Sequence, residues 1–133
     1  MRMKKVITYG TFDVFHYGHF NLLERASALG NHLTVGVSSD NFNSIKDKSS
    51  YLNFSHRKRI VESFRFVDSV IEEKSWDQKI NDIITLKIDI FVIGNDWSSK
   101  FDFLKEYCEV IYLPRTKDIS STKTRKLLDE HKD

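Results

Sequence analysis

The chain has 133 residues, 40% hydrophobic and 30% charged, with one proline, five glycines and a formal charge of +2. These values predict a single globular domain over residues 1–133 and exclude fibrous and low-complexity classes, while so small a net charge is no nucleic-acid footprint. The lone Cys108 forms no intramolecular disulfide, and the basic start MRMKKVITYGTFD carries too short an apolar run for a signal peptide or a membrane span, so a cytoplasmic protein with no nucleic-acid partner and no membrane insertion is expected.

Along the chain, KKVITYG (4–10) is the first of five short runs rich in Val and Ile without polar alternation, the pattern of a strand buried on both faces. It hands over through YGTFDVFHYGH to helical spacing at Phe20, Leu23, Ala26 and Leu29. HLTVGVS (32–38) is the second strand, and the polar, lysine-bearing stretch around 39–54 reads as the longest loop. Ile60, Val61, Phe64 and Val67 mark a second helix, DSVIEE (68–73) a third strand, and Ile80, Ile83, Ile84 and Leu86 a third helix. DIFVIG (89–94), the helical spacing Phe101, Leu104, Cys108, and EVIYL (109–113) complete the series. Strand and helix alternate, which predicts a Rossmann-like three-layer α/β/α sandwich around a five-stranded parallel sheet, with any ligand beyond the carboxyl ends of the strands.

Two strand ends carry unusual chemistry. His16 and His19 flank Gly18 where the first helix should begin; positions three apart share a helix face, and free N–H groups at a helix start attract anions. Gly18 lets a phosphate approach the backbone, and two imidazoles can donate to oxygens that gain charge during phosphoryl or nucleotidyl transfer. Isolated histidines at a helix start are more often packing residues, and two at this spacing without a third ligand make no zinc site. RTKDISSTKTR (115–125) offers a second such start: Ser120, Ser121 and Thr122 suit an N-cap, and with Arg115 and Lys123 they suit a polyphosphate. The expectation is two helix starts at adjacent strand ends gripping one triphosphate.

GTFDVFHYGH and RTKDISSTK together closely resemble the paired signatures of the cytidylyltransferases, within the HxGH nucleotidyltransferase superfamily. The likeness is nearest to the branch that activates glycerol 3-phosphate, and it extends through LLERA, HRKRIVESFRFVDSVIEEKSW, DIFVIGNDW, KFDFLK and VIYLPRT. The resemblance implies transfer of CMP from CTP to glycerol 3-phosphate with Mg²⁺ assisting, giving CDP-glycerol and pyrophosphate for teichoic-acid or capsular polymer synthesis by a homodimer. Another phospho-alcohol, or ATP in place of CTP, is the alternative within the class, and a non-catalytic nucleotide- or RNA-binding module the alternative outside it.

By position, the resemblance implies that Thr11 and Phe12 open the nucleotide loop and that His16 and His19 stabilise the transition state, with Asp13 shaping the loop or orienting a histidine. It places Arg115, Thr116, Ile119, Ser120, Ser121 and Thr122 on the phosphates and cytidine, and Asp96 on the nucleoside side or in a turn after the strand. It implies an acceptor site of Lys46, Trp76 and Lys79, with Arg57 as a further phosphate ligand. Arg65 and Asp68 are expected at a subunit interface or in an internal ion pair. Lys117-Asp118 stands where the family carries Glu-Gly; activity should survive, with CTP affinity the property the change touches.

Overall fold

In the computed structural model, which describes residues 3–46, 49–115 and 127, the first half runs β1 (Lys5–Gly10), α1 (Tyr17–Ala28), β2 (His32–Ser38), α2 (Asp40–Ile45) and α3 (Phe54–Glu62). The second half runs β3 (Ser69–Glu73), α4 (Gln78–Thr85), β4 (Ile90–Gly94) and β5 (Glu109–Leu113), with short 3-10 segments at Asn95–Trp97 and Asp102–Glu106. The five strands pair in parallel in the order β3-β2-β1-β4-β5. This is the Rossmann-like sandwich that the alternation predicts.

Successive strand residues point to opposite faces, so β1 and β4 feed two cores, while β2 gives its Leu and Val side chains to one of them. Val6, Leu33, Val35, Val37, Ile90 and Val92 pack with Leu23 and Ala26 of α1 and Val61 of α3. Ile7, Tyr9, Phe91 and Ile93 pack on the other side with Ile83 of α4, Phe101 and Leu104. The central strands are buried on both faces as expected, whereas β3 and β5, at the sheet edges, are mostly half-buried.

Three local expectations change. The stretch read as a loop contains α2, capped by the Ser39 hydroxyl, which accepts from the Phe42 N–H at 3.0 Å; six residues with one buried aromatic are too few to display a helical period. The helix expected over 60–67 instead starts at Phe54, capped by Asn53, and ends at Glu62, while Phe64 joins an aromatic cluster from the turn beyond it. The last connection is 3-10 rather than α-helical: Leu104 N–H donates to Phe101 O and Tyr107 N–H to Leu104 O, both i→i−3, and side chains three apart eclipse in such turns, so Phe101 and Leu104 both reach the core.

The strand order reverses between β1 and β4. Their ladder registers only Val6↔Ile90 and Ile7↔Phe91, whereas β1 and β2 register along all six residues of β1. Beyond that short ladder lies the switch-point position where open α/β sheets receive ligands. β4 separates β1 from β5, so the two helix starts expected at adjacent strand ends belong to strands with one strand between them.

Candidate active site

The loop leaving β1 is strained. Phe12 and Val14 have φ of 53° and 46°, left-handed values that cost non-glycine residues about 1–3 kcal/mol each, most for a β-branched one. Two tethers hold the loop there. The buried Asp13 carboxylate accepts from the Tyr51 N–H (2.8 Å) and the Leu52 N–H (3.0 Å), and the Thr11 carbonyl accepts from Arg57 Nη1 (3.0 Å). Of the two roles open to Asp13 in the sequence, this geometry matches loop-shaping.

The same loop delivers His16 as the N-cap of α1. His16 Nδ1 accepts from the Gly18 N–H at 3.0 Å, and the His16 N–H donates to His19 Nδ1 at 3.2 Å, a reciprocal capping box built from two imidazoles. The rings stack, with centroids 3.9 Å apart and planes 16° from parallel. Phe12 meets His19 edge-on at 5.4 Å and Phe15 lies 5.0 Å from it. Because Phe12 buries its ring in the core, it supports His19 rather than forming a side-chain wall of the nucleotide site.

That packing sets the charge and the tautomer. Burial, and secondarily the nearby Arg115 guanidinium, lowers the His16 pKa below the ordinary 6.5; burial, and then His16, pushes His19 down to about 3. Both rings are therefore neutral near pH 7. A neutral imidazole whose Nδ1 accepts a hydrogen bond carries its proton on Nε2, so each ring presents an Nε2–H donor. His16 Nε2 is buried and has no hydrogen-bond partner among the described residues, a donor awaiting an acceptor.

Arg115 follows β5, and its Nη1 lies 3.3 Å from Oδ2 of Asp96, which follows β4; both side chains are about half exposed. Together with its effect on His16, this brings His16, Arg115 and Asp96 to one end of the sheet from three strands. Thr116, Ile119, Ser120, Ser121 and Thr122, with Lys117, Asp118 and Lys123, lie outside the described residues.

The lysines expected at the acceptor site meet around one indole. Lys46 Nζ is 5.8 Å and Lys79 Nζ 5.2 Å from the Trp76 ring centroid, and Trp76 is 46% exposed. Beside it, a cavity of about 400 Å³ is lined by Trp76, Asp77, Ile80, Trp97, Lys100, Phe101 and Phe103. Lys79 itself is only 2% exposed, and its ammonium pairs with the Glu73 carboxylate, a partner sequence reasoning missed; a second glutamate closing an apolar strand was the available signal.

Arg57 differs from expectation. It is 0% exposed and holds protein acceptors on every side: Nε donates to Leu52 O (2.9 Å), Nη1 to Thr11 O (3.0 Å) and Ser38 O (2.7 Å), and Nη2 to Asp40 Oδ1 (2.7 Å). It ties the ends of β1 and β2 to the segment before α3, a staple rather than an exposed phosphate ligand. Asp68 is exposed, and its carboxylate accepts from the Leu33 N–H at 2.8 Å.

The model of the family described as Cytidylyltransferase-like matches residues 7–127. The chain belongs to the cytidylyltransferase-like family. Among individual relatives, it is 63% identical over 124 residues to the glycerol-3-phosphate cytidylyltransferase of Bacillus spizizenii, covering 93% of this chain and 96% of that one. It is 54% identical over 126 residues to the enzyme of the same name from Staphylococcus aureus, covering 95% and 96%. Among solved structures, a lipopolysaccharide core biosynthesis protein from Thermoplasma volcanium superposes with a TM-score of 0.76 over 87% of this chain and 100% of that one, at 24% identity, a likeness of fold. Within this cytidylyltransferase-like fold, the paired imidazoles sit at the switch point, and the lysines around Trp76 also lie at the carboxyl end of the sheet.

Proposed function

We propose that this cytidylyltransferase-like protein transfers CMP from CTP to glycerol 3-phosphate, releasing pyrophosphate and forming CDP-glycerol. The observation that carries the reading is the reciprocal capping of His16 and His19, which puts the protons of two neutral rings on Nε2 and leaves the His16 donor buried without a partner. The names and near-complete coverage of the relatives from Bacillus spizizenii and Staphylococcus aureus support the choice of substrates.

In the reaction, a phosphate oxygen of glycerol 3-phosphate attacks the α-phosphorus of CTP; a new P–O bond forms as the bond to pyrophosphate breaks. Charge grows on the non-bridging and leaving oxygens, and fixed donors aimed at them lower the barrier without reorganising. His16 and His19 supply such donors, Arg115 supplies a guanidinium, and the α1 start supplies the positive end of its helix dipole, with Gly18 leaving room for a phosphate. Thr11 and the strained Phe12–Val14 turn hold the nucleotide loop, Asp13 and Arg57 fix its shape, and Asp96 takes the nucleoside side. Thr116, Ile119, Ser120, Ser121 and Thr122 belong to the nucleotide site on this reading. Lys46 and Lys79, around Trp76, bind the acceptor phosphate.

No group of three His, Cys, Asp or Glu able to hold a metal exists among the described residues. Mg²⁺ commonly keeps several waters and binds through one or two carboxylates plus substrate phosphates, an arrangement the exposed Asp96 carboxylate fits. On this reading Mg²⁺ comes with CTP and neutralises phosphate charge. The active form is a cytoplasmic homodimer with one domain per chain over residues 1–133, its mass measurable by light scattering.

Purified protein given CTP, Mg²⁺ and glycerol 3-phosphate should release pyrophosphate and yield CDP-glycerol by phosphorus NMR. A folded preparation inert with glycerol 3-phosphate but active with another phospho-alcohol would reassign the acceptor. Inertness with all of them would end the transferase reading.

A further inference from the structure

We propose that Glu73 is the positioning residue of the acceptor site: its carboxylate fixes the Lys79 ammonium, and its carbonyl fixes the start of the helix that leads to Lys46. The inference rests on the acceptor reading above, in which both lysines bind one phosphate.

Glu73 is the last residue of β3 and only 3% exposed, and Lys79, in the first turn of α4, is equally buried. Charges at that depth persist only when paired, and each is the other's ion-pair partner among the described residues. The Lys79 ammonium also sits 4.7 Å from the Tyr9 ring, 5.2 Å from Trp76 and 5.4 Å from Phe101. Aromatic faces attract a cation but accept no conventional hydrogen bond, so Glu73 is the acceptor that sets its direction, and two of its three N–H donors remain for a phosphate.

The cage is itself fixed. Tyr9 O–H donates to Asp82 Oδ2 at 2.8 Å, and the Gln78 amide donates to the same oxygen at 3.0 Å and to the Glu72 carbonyl at 3.0 Å, locking α4 against the ends of β1 and β3. On its other side, the Glu73 carbonyl accepts from the Ser39 N–H at 2.8 Å, and Ser39 is the N-cap of α2. Phe42 of α2 meets Trp76 edge-on at 5.1 Å and carries the Lys46 ammonium 4.5 Å over its ring. One residue thus connects both cations of the site. A carboxylate beside a phosphate site weakens anion attraction by its own charge, a cost that is offset here by fixing where the cation stands.

Steady-state kinetics with varied CTP and varied glycerol 3-phosphate test this in Glu73→Gln, Glu73→Asp, Lys79→Ala and the double variants Glu73→Gln/Lys79→Ala and Glu73→Asp/Lys79→Ala, with Tm measured for each. Glu73→Gln keeps the side chain's size and an acceptor oxygen; Glu73→Asp keeps the charge. The expected result is an acceptor KM raised about tenfold in Glu73→Gln with CTP KM within about twofold, a smaller rise in Glu73→Asp, and a double variant no worse than Lys79→Ala alone. Normal acceptor KM in Glu73→Gln, with a raised value in Lys79→Ala, overturns the role of Glu73 and leaves the acceptor site standing. Normal acceptor KM in Lys79→Ala removes the acceptor reading and this inference with it. Parallel loss of both KM values and of Tm in the Glu73 variants shows a structural carboxylate only. Should Glu73→Gln fail to fold, the Glu73→Asp rise and its disappearance on the Lys79→Ala background decide the matter.

Discussion

His16 carries two duties on two nitrogens, and substitution can separate them. Nδ1 caps α1 by accepting from the Gly18 N–H, and Nε2 is the buried, unpartnered donor. Asparagine is among the best N-caps and can reproduce the Nδ1 contact, but it has nothing at the Nε2 position. Glutamine reaches the Nε2 position with an amide N–H and loses the cap. Losing the cap costs about 0.5–2 kcal/mol of stability, and losing one preorganised donor costs about 2.7–4 kcal/mol of transition-state stabilisation, or roughly 10²–10³ in kcat. His16→Asn should therefore keep its Tm and lose kcat by that factor, with CTP KM little changed. His16→Gln should melt a few degrees lower yet turn over faster than His16→Asn. Pyrophosphate release under saturating substrates and thermal melts of the same preparations provide both readouts. A His16→Asn variant with near-normal kcat would refute the assignment of Nε2 to the transition state.

His19, at about 3 in the native state against 6.5 unfolded, leaves stability unaffected above pH 6.5, where both states are neutral; below it only the unfolded state gains the proton, so stability falls by about 1.4 kcal/mol per pH unit. Urea midpoints between pH 6.5 and 4.5 should show at least this slope, since His16, also lowered, adds to it in the same direction, and His19→Asn should reduce it. Burial raises the Asp40 pKa but is outweighed by the Phe54 N–H and Arg57, so the stability this carboxylate lends is lost only as pH falls below 3.8, outside that interval. Because burial lowers both His16 and His19, kcat/KM should show no histidine limb at or above pH 6.5. Arg57→Met should lower stability by about 3–5 kcal/mol in urea unfolding, since three carbonyls and a carboxylate lose their donor; unchanged stability with a raised acceptor KM would instead make Arg57 a direct phosphate ligand. A Cβ at Gly36 would lie 2.3 Å from the Tyr9 ring, so Gly36→Ala should cost about 1–3 kcal/mol and displace the ring that lies over Lys79, raising acceptor KM; a normal Tm would refute the tight contact.

The sequence by itself determined the five strands, the alternating layers and the helix start that bears His16 and His19. Those features are local: short apolar runs rich in Val and Ile mark strands, and a helix start is written in a few consecutive residues. The same locality explains the misses, since α2 is too short to show a period and a spacing of three, as at Phe101 and Leu104, suits a 3-10 turn as well as an α-helix. Only the tertiary structure decided what the charged residues do. Asp13 meets the N–H groups of residues 51 and 52, and Arg57 reaches back to residues 11 and 38. Burial and partner set whether an arginine staples a loop or stands open to a phosphate, and both depend on which distant segments the sheet order brings together, a relation that no short window of residues contains.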